Sequence, residues 1–158
     1  MALEDLSFFR SIPGSTVFYP SDAVSCERAC ELAANTEGIC FIRTSRPATT
    51  QGLLYFHKKS SKMYVYIVYK NEHSFEVGKA NFLKEGTSVA VFGSGITLHN
   101  AMEAAIILEK EGIKISVIDP FTIKPMDPAA VKKAVEVSGG KLLTVEDHYA
   151  YVTKYYTF

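Results

Sequence analysis

At 158 residues the chain has room for one ordinary domain or two small ones, and an apolar content of 47% excludes a disordered polypeptide. Its 17 basic and 17 acidic residues cancel to a formal net charge of zero, and no basic run exceeds a lysine pair, so no nucleic-acid partner is expected. No apolar run approaches the roughly 18 residues of a membrane span, and Met1-Ala2-Leu3-Glu4-Asp5-Leu6 lacks the core of a signal peptide, so no membrane partner is expected either.

In chain order, Leu3, Leu6 and Phe9 predict a short amphipathic helix that ends at Pro13-Gly14. Thr16-Val17-Phe18-Tyr19 reads as a short strand closed by Pro20. Ser21-Asp22 then caps a helix carrying Val24, Ala29, Leu32 and Ala33. Cys26 and Cys30 share a face of that helix. With no histidine near them in sequence they read as buried structural thiols rather than metal ligands. The three cysteines, an odd and sparse set, fit a reducing compartment, and a cytoplasmic location is expected.

After Gly38, residues Ile39 to Arg43 read as a buried strand, and Pro47 biases Arg46 toward extended backbone. Arg46 therefore sits where ligands of open α/β sheets collect, and its guanidinium offers a planar fork to a phosphate or carboxylate. The alternative is that Arg43 or Arg46 pairs with a surface acid. This α-β-α-β unit is too short to be a stable domain alone.

From Ala48 to about His73 the pattern breaks. Lys58-Lys59-Ser60-Ser61-Lys62 precedes Met63-Tyr64-Val65-Tyr66-Ile67-Val68-Tyr69, an uncharged, β-prone run that is an aggregation hazard if exposed and a candidate to pair with an open sheet edge. The grammar then returns. Ser88 to Phe92 is a strand ending in Gly93-Ser94-Gly95, Thr97 is the expected cap of a helix striped with Ala101, Ala105 and Leu108, and Gly112 ends it. Ile113 to Asp119 is the next strand, Pro120 to Pro125 a loop, Asp127-Pro128 a helix start, Gly139-Gly140 its end, and Lys141 to Glu146 a third strand. The fold class is α/β, two incomplete parallel-sheet, doubly wound segments, the second a βαβαβ unit.

Two motifs carry possible chemistry. Gly93-Ser94-Gly95 followed by Asp119 suggests a small dinucleotide-binding protein, but Leu98 stands where G-x-G-x-x-G needs a third small residue. Glu146-Asp147-His148, at a strand end, pairs acid with base for proton transfer. With nothing here to pair them with a nucleophile, the residue types favour the other reading, that its carboxylates cap a loop or fix a neighbouring chain.

The strings Val17-Phe18-Tyr19-Pro20-Ser21-Asp22, Gly38-Ile39-Cys40-Phe41-Ile42-Arg43-Thr44-Ser45-Arg46-Pro47, Phe75-Glu76-Val77-Gly78-Lys79-Ala80, Asp119-Pro120-Phe121-Thr122-Ile123-Lys124-Pro125 and Thr144-Val145-Glu146-Asp147-His148-Tyr149 together resemble transketolase of the animal type. The resemblance implies residues 1–47 as the end of a pyrimidine-binding domain, 48–74 as an insert, 75–149 as part of a C-terminal domain, and 150–158 as a tail foreign to the family. It implies two-carbon ketol transfer between sugar phosphates in the pentose phosphate pathway, by a dimer using thiamine diphosphate and a divalent metal (Mg or Ca). It makes Arg46 the ligand of the substrate phosphate and assigns no catalytic, cofactor or metal residue within the chain.

The resemblance further implies a truncated fragment that is inactive alone. One arginine contributes about 1.5–3 kcal/mol through charge-assisted bonds, against about 8–23 kcal/mol of barrier reduction in typical enzymes. The alternatives are a module that pairs with an intact transketolase subunit, and the dinucleotide-binding protein. The insert, roughly 18 residues beyond the family's short connection, and the tail look like translated non-coding sequence. Sequencing the transcript against its locus tests that, and finding both in ordinary exons would remove it.

Overall fold

The computed structural model describes residues 4–44 and 68–148, and of 57–58 and 61–62 the backbone alone. The first segment is helix α1 (Asp5–Ser11), strand β1 (Thr16–Phe18), helix α2 (Ala23–Ala34) and strand β2 (Cys40–Ile42). Its helix start is written into the chain. Asp22 accepts the Ser25 amide at 2.8 Å while Ser25 Oγ accepts the Asp22 amide at 3.0 Å, a reciprocal capping box. Strands β3 (His57–Lys58) and β4 (Ser61–Lys62) form a small antiparallel pair.

The second segment runs β5 (Asn81–Lys84), β6 (Ala90–Gly93), α3 (Ile96–Lys110), β7 (Ser116–Asp119), β8 (Thr122–Lys124), α4 (Pro128–Ser138) and β9 (Leu142–Val145). Its four-stranded sheet has the order β5-β7-β6-β9, with β6 parallel to both β7 and β9 and β5 antiparallel to β7. The expected βαβαβ unit is therefore present, with an extra edge strand. Helices cover both faces. Val91 and Val117 pack with Leu98, Ala101 and Ala105 of α3, while Ala90, Phe92 and Ile118 pack with Ala134 of α4. Burial on both faces is why these strands read as continuous apolar runs.

Helix α4 starts as expected, with Asp127 Oδ1 accepting the Ala129 and Ala130 amides at 2.9 and 3.2 Å. The start of α3 differs from expectation. Its cap is Gly95 at φ 56°, and Thr97 lies inside the first turn, its hydroxyl 2.7 Å from the Val145 carbonyl. Thr97 thus ties α3 to β9 instead of capping the helix.

The larger difference is at residues 120–125, expected as a loop. They contain β8, which pairs antiparallel with β1 and so completes a three-stranded sheet of order β2-β1-β8. Asp119 makes the reversal. Its Oδ1 accepts the Phe121 amide at 2.9 Å, and Phe121 adopts a left-handed φ of 57°. The Phe121 carbonyl then accepts the Tyr19 amide at 2.9 Å. A strand of the second segment thus completes the sheet of the first. At β2 the expected full burial is corrected to half-burial, since among the described residues it forms an edge, and Ile39 just before it is 50% exposed.

One apolar cluster spans the join. Phe18, Val24 and Ala29 of the first segment pack with Tyr69, Phe75 and Phe121, and the Phe75 ring sits 4.6 Å from both the Tyr69 and Phe121 rings.

Candidate functional site

Two networks of polar side chains lie on the seam between the two segments, at the carboxyl ends of β1, β2, β7 and β9. Arg43 follows β2 directly, and its amide donates to the Phe18 carbonyl at 3.0 Å, prolonging the β1–β2 ladder. Its side chain, 10% exposed, is held from two sides: Nε lies 3.2 Å from Asp5 Oδ2, and Nη1 lies 2.9 Å from Asp147 Oδ1. The guanidinium also stacks over the Tyr19 ring at 4.7 Å, and the Tyr19 hydroxyl donates to the same Asp147 oxygen at 2.8 Å. His148, its side chain fully buried, places Nε2 3.6 Å from Asp5 Oδ1.

A second network lies deeper. Asp119, fully buried at the end of β7, accepts from the Tyr69 hydroxyl at 2.6 Å and from Ser21 Oγ at 3.3 Å through one oxygen, and from the Phe121 amide through the other. Tyr69 is pinned again where its amide donates to Asp22 Oδ2 at 3.1 Å. Burial raises the Asp119 carboxyl to a pKa of about 6, against the lowering effect of its three donors. Burial, together with the Asp119 charge and hydrogen bond, pushes the Tyr69 phenol well up. His99 closes the network, its Nε2 2.7 Å from the Ser21 carbonyl.

The expected site residues distribute unevenly over this seam. Arg46 lies outside the described residues, as do Met63 to Ile67 of the tyrosine-rich run. Asp147 pairs with Arg43, tying the loop after β9 to the residue that follows β2. In the glycine turn the Tyr19 ring lies against Gly95, filling the space a Cβ would need, and Leu98 packs against Gly93. The two glycines thus serve close packing.

The cysteines are corrected: Cys30 is exposed and Cys26 and Cys40 are only partly buried. On α2 the inward positions are Val24, Ser25 and Ala29, one step of rotation away from residues 26 and 30. The residue the sequence reasoning missed is Tyr69. In the sequence it closes the β-prone run Met63–Tyr69, whereas in the structure its hydroxyl and amide join three parts of the chain. The sequence signal was its proximity to the family-like string beginning at Phe75.

Two family models match the chain. "Transketolase, pyrimidine binding domain" covers residues 1–51, and "Transketolase, C-terminal domain" covers residues 78–153. The chain belongs to the transketolase family. It is 50% identical over 151 residues to transketolase-like protein 2 and to transketolase of Homo sapiens, covering 94% of this chain and 22% of each relative. The chain therefore spans about a fifth of the length of those curated relatives. Among solved structures it superimposes on a split-gene transketolase, described as an inactive β4 tetramer, with a TM-score of 0.83 and 31% identity, over 97% of this chain and 46% of that one. A transketolase variant of Pichia stipitis in complex with fructose 6-phosphate shares the fold, with a TM-score of 0.68 and 18% identity over 96% of this chain and 21% of that one.

Transketolases are thiamine diphosphate-dependent transferases. Among the described residues no group of three or more metal-ligating side chains is present. Asp5 and Asp147 hold Arg43, Asp119 holds Tyr69, and Asp127 caps α4. No described helix is long and apolar enough to cross a membrane.

Proposed function

We propose that this chain supplies part of a ketol-transferring site, with Arg46 binding the phosphate of the sugar substrate, while thiamine diphosphate and its metal are held by residues outside the 158. The observation that carries this reading is the 50% identity to human transketolase over 151 residues, together with the family match over residues 1–51 that includes Arg46. The division at residues 47, 74 and 149 belongs to the same proposal, as do the cytoplasmic setting and the pentose phosphate pathway. The polypeptide of residues 1–158 is catalytically incompetent by itself. Incubated with thiamine diphosphate, Mg, xylulose 5-phosphate and ribose 5-phosphate, it gives no sedoheptulose 7-phosphate. Measurable cofactor-dependent turnover by these residues alone overturns that part of the proposal.

A second reading is pairing with an intact transketolase subunit. It is favoured by the overlay on a split-gene protein that assembles as a tetramer. Co-purification with full-length transketolase tests it, and the Arg46→Met variant pairs equally well on this reading. The dinucleotide alternative has against it that Gly93 and Gly95 lie in close packing with Leu98 and the Tyr19 ring, and that Leu98 stands where the fingerprint needs a third small residue. Titration with NAD produces no thermal shift if this is right, whereas a site filled at 100 times its dissociation constant would add about 2.7 kcal/mol.

A further inference from the structure

Helix α2 carries two thiols in the string Cys26-Glu27-Arg28-Ala29-Cys30, and the structure leaves them open instead of packing them away. Cys26 is half-buried and Cys30 is exposed, while Val24, Ser25 and Ala29 take the buried positions of the helix. A spacing of four sets the two thiols one above the other on one flank. They are in contact: burial pushes the Cys26 thiol up, and Cys30 adds to this by its charge and by a hydrogen bond between the two side chains. The Asp22 charge also reaches Cys26, so the pair lies in a negative field. Its backbone is fixed, since the Asp22–Ser25 capping box closes the first turn and the Cys26 amide donates to the Asp22 carbonyl at 2.9 Å.

Two neighbouring thiols can close a disulfide or share an ion, and the helix decides between them. It holds Cβ atoms four residues apart at about 5–6 Å, whereas a disulfide needs them at about 3.5–4.5 Å, so joining the sulfurs would distort the turn. An ion between them asks for no such movement. With metal–sulfur bonds of about 2.3 Å, a linear sulfur–metal–sulfur unit spans about 4.6 Å, which side chains at this spacing reach by choice of rotamer. Thiolates select soft centres, chiefly monovalent copper, zinc and iron–sulfur clusters. Zinc and the clusters want four ligands, and among the described residues no third His, Cys, Asp or Glu joins the pair. Monovalent copper, a closed-shell ion, is stable between two sulfurs.

We propose that Cys26 and Cys30 form a two-sulfur binding site for monovalent copper on the exposed flank of α2. Each thiol passes its proton to solvent as its sulfur–copper bond forms, so one ion displaces two protons and neither copper nor sulfur changes oxidation state. The two ligands take no part in the seam networks, and the site does not depend on the role of Arg46.

The test titrates the whole chain, reduced and free of oxygen, with monovalent copper in competition with bicinchoninate, whose copper complex is coloured. The chain withdraws one ion per molecule, and the copper X-ray absorption spectrum shows two sulfur neighbours. Cys30→Ser, at an exposed position, keeps the circular dichroism spectrum and weakens binding by about a hundredfold, the upper end of what loss of a group that merely supports a ligand costs. If Cys30→Ser loses that spectrum, Cys30→Ala, which places a strong helix former there, decides. Cys40→Ser, which leaves the pair intact, binds as the unaltered chain does. The proposal is overturned by a chain that withdraws no copper, by weakening of less than about tenfold when Cys30 is replaced, or by an equal loss in Cys40→Ser. Half an ion per chain overturns it too, since copper would then bridge two copies through Cys30 instead of sitting between Cys26 and Cys30 of one helix.

Discussion

A fully buried carboxyl with three donors is a conflict between desolvation and hydrogen bonding, and in Asp119 burial wins. Its folded pKa of about 6 stands above the ordinary 3.8, so between those values the folded chain holds a proton that the unfolded chain has lost. The stability this contributes is fully present below about pH 3.8 and is lost as the pH rises through about 6. A shift of this size corresponds to something on the order of 3 kcal/mol. Urea titrations at successive pH values between 4 and 6.5 will show the midpoint falling, and in Asp119→Asn that part of the slope will vanish. An unchanged slope in the variant would show that another group carries it. The same residue scale decides Gly95. With φ at 56° and the Tyr19 ring against its backbone, Gly95→Ala must both strain the chain and push the ring off the glycine turn. It will cost more than about 2 kcal/mol in chemical denaturation, whereas Gly112→Ala, with open space around it, will cost only the backbone strain.

At the scale of elements, the sequence spoke clearly where local chemistry decides and poorly where distant residues do. Asp22 and Ser25 cap α2, and Asp127-Pro128 open α4, because each cap is complete within a few residues. Strand β8 was illegible. Thr122-Ile123-Lys124 is three residues between two prolines, too short for a period, and it is extended because β1 is there to pair with it. Strand β5 was missed for a related reason: Asn81-Phe82-Leu83-Lys84 becomes an edge strand only against β7. The Arg43 clamp was legible in kind, since an acid partner was one of the readings. Its partner was not, because Asp147 lies 104 residues away. The cap of α4 also reaches outside its own element, since Asp127 Oδ2 accepts the Ala80 amide at 3.2 Å. Asp127→Ala therefore removes an ordinary N-cap, worth about 1 kcal/mol, and leaves the Ala80 amide without that acceptor. The loss will approach about 2 kcal/mol by urea denaturation, and Asp127→Ser, which restores the cap alone, will recover only part of it.

At the scale of the whole molecule, the pairing of β8 with β1 changes what the two segments are. Read separately, each lacks strands and should be marginal; joined, they share a sheet, the Phe18-Tyr69-Phe75-Phe121 cluster, the Asp119 network and the Arg43 clamp. Every one of these crosses the seam, so unfolding the second segment strips the first of a strand of its sheet and of part of its core. Cooperativity follows, because a unit unfolds separately only when few contacts bind it to the rest. Truncating Phe121 to Ala makes the test sharp. The ring belongs to the second segment but packs on Phe18 of the first, 5.7 Å between centroids, and its loss should cost about 3–5 kcal/mol, a large fraction of a domain's stability. Hydrogen exchange on Phe121→Ala will therefore accelerate at the amides of β1 as much as at those of β7, and fluorescence and circular dichroism will report one coincident transition. Acceleration confined to the second segment, with β1 protected as before, would mean that the two halves are separate folding units and that the seam is a contact between them, not a shared core.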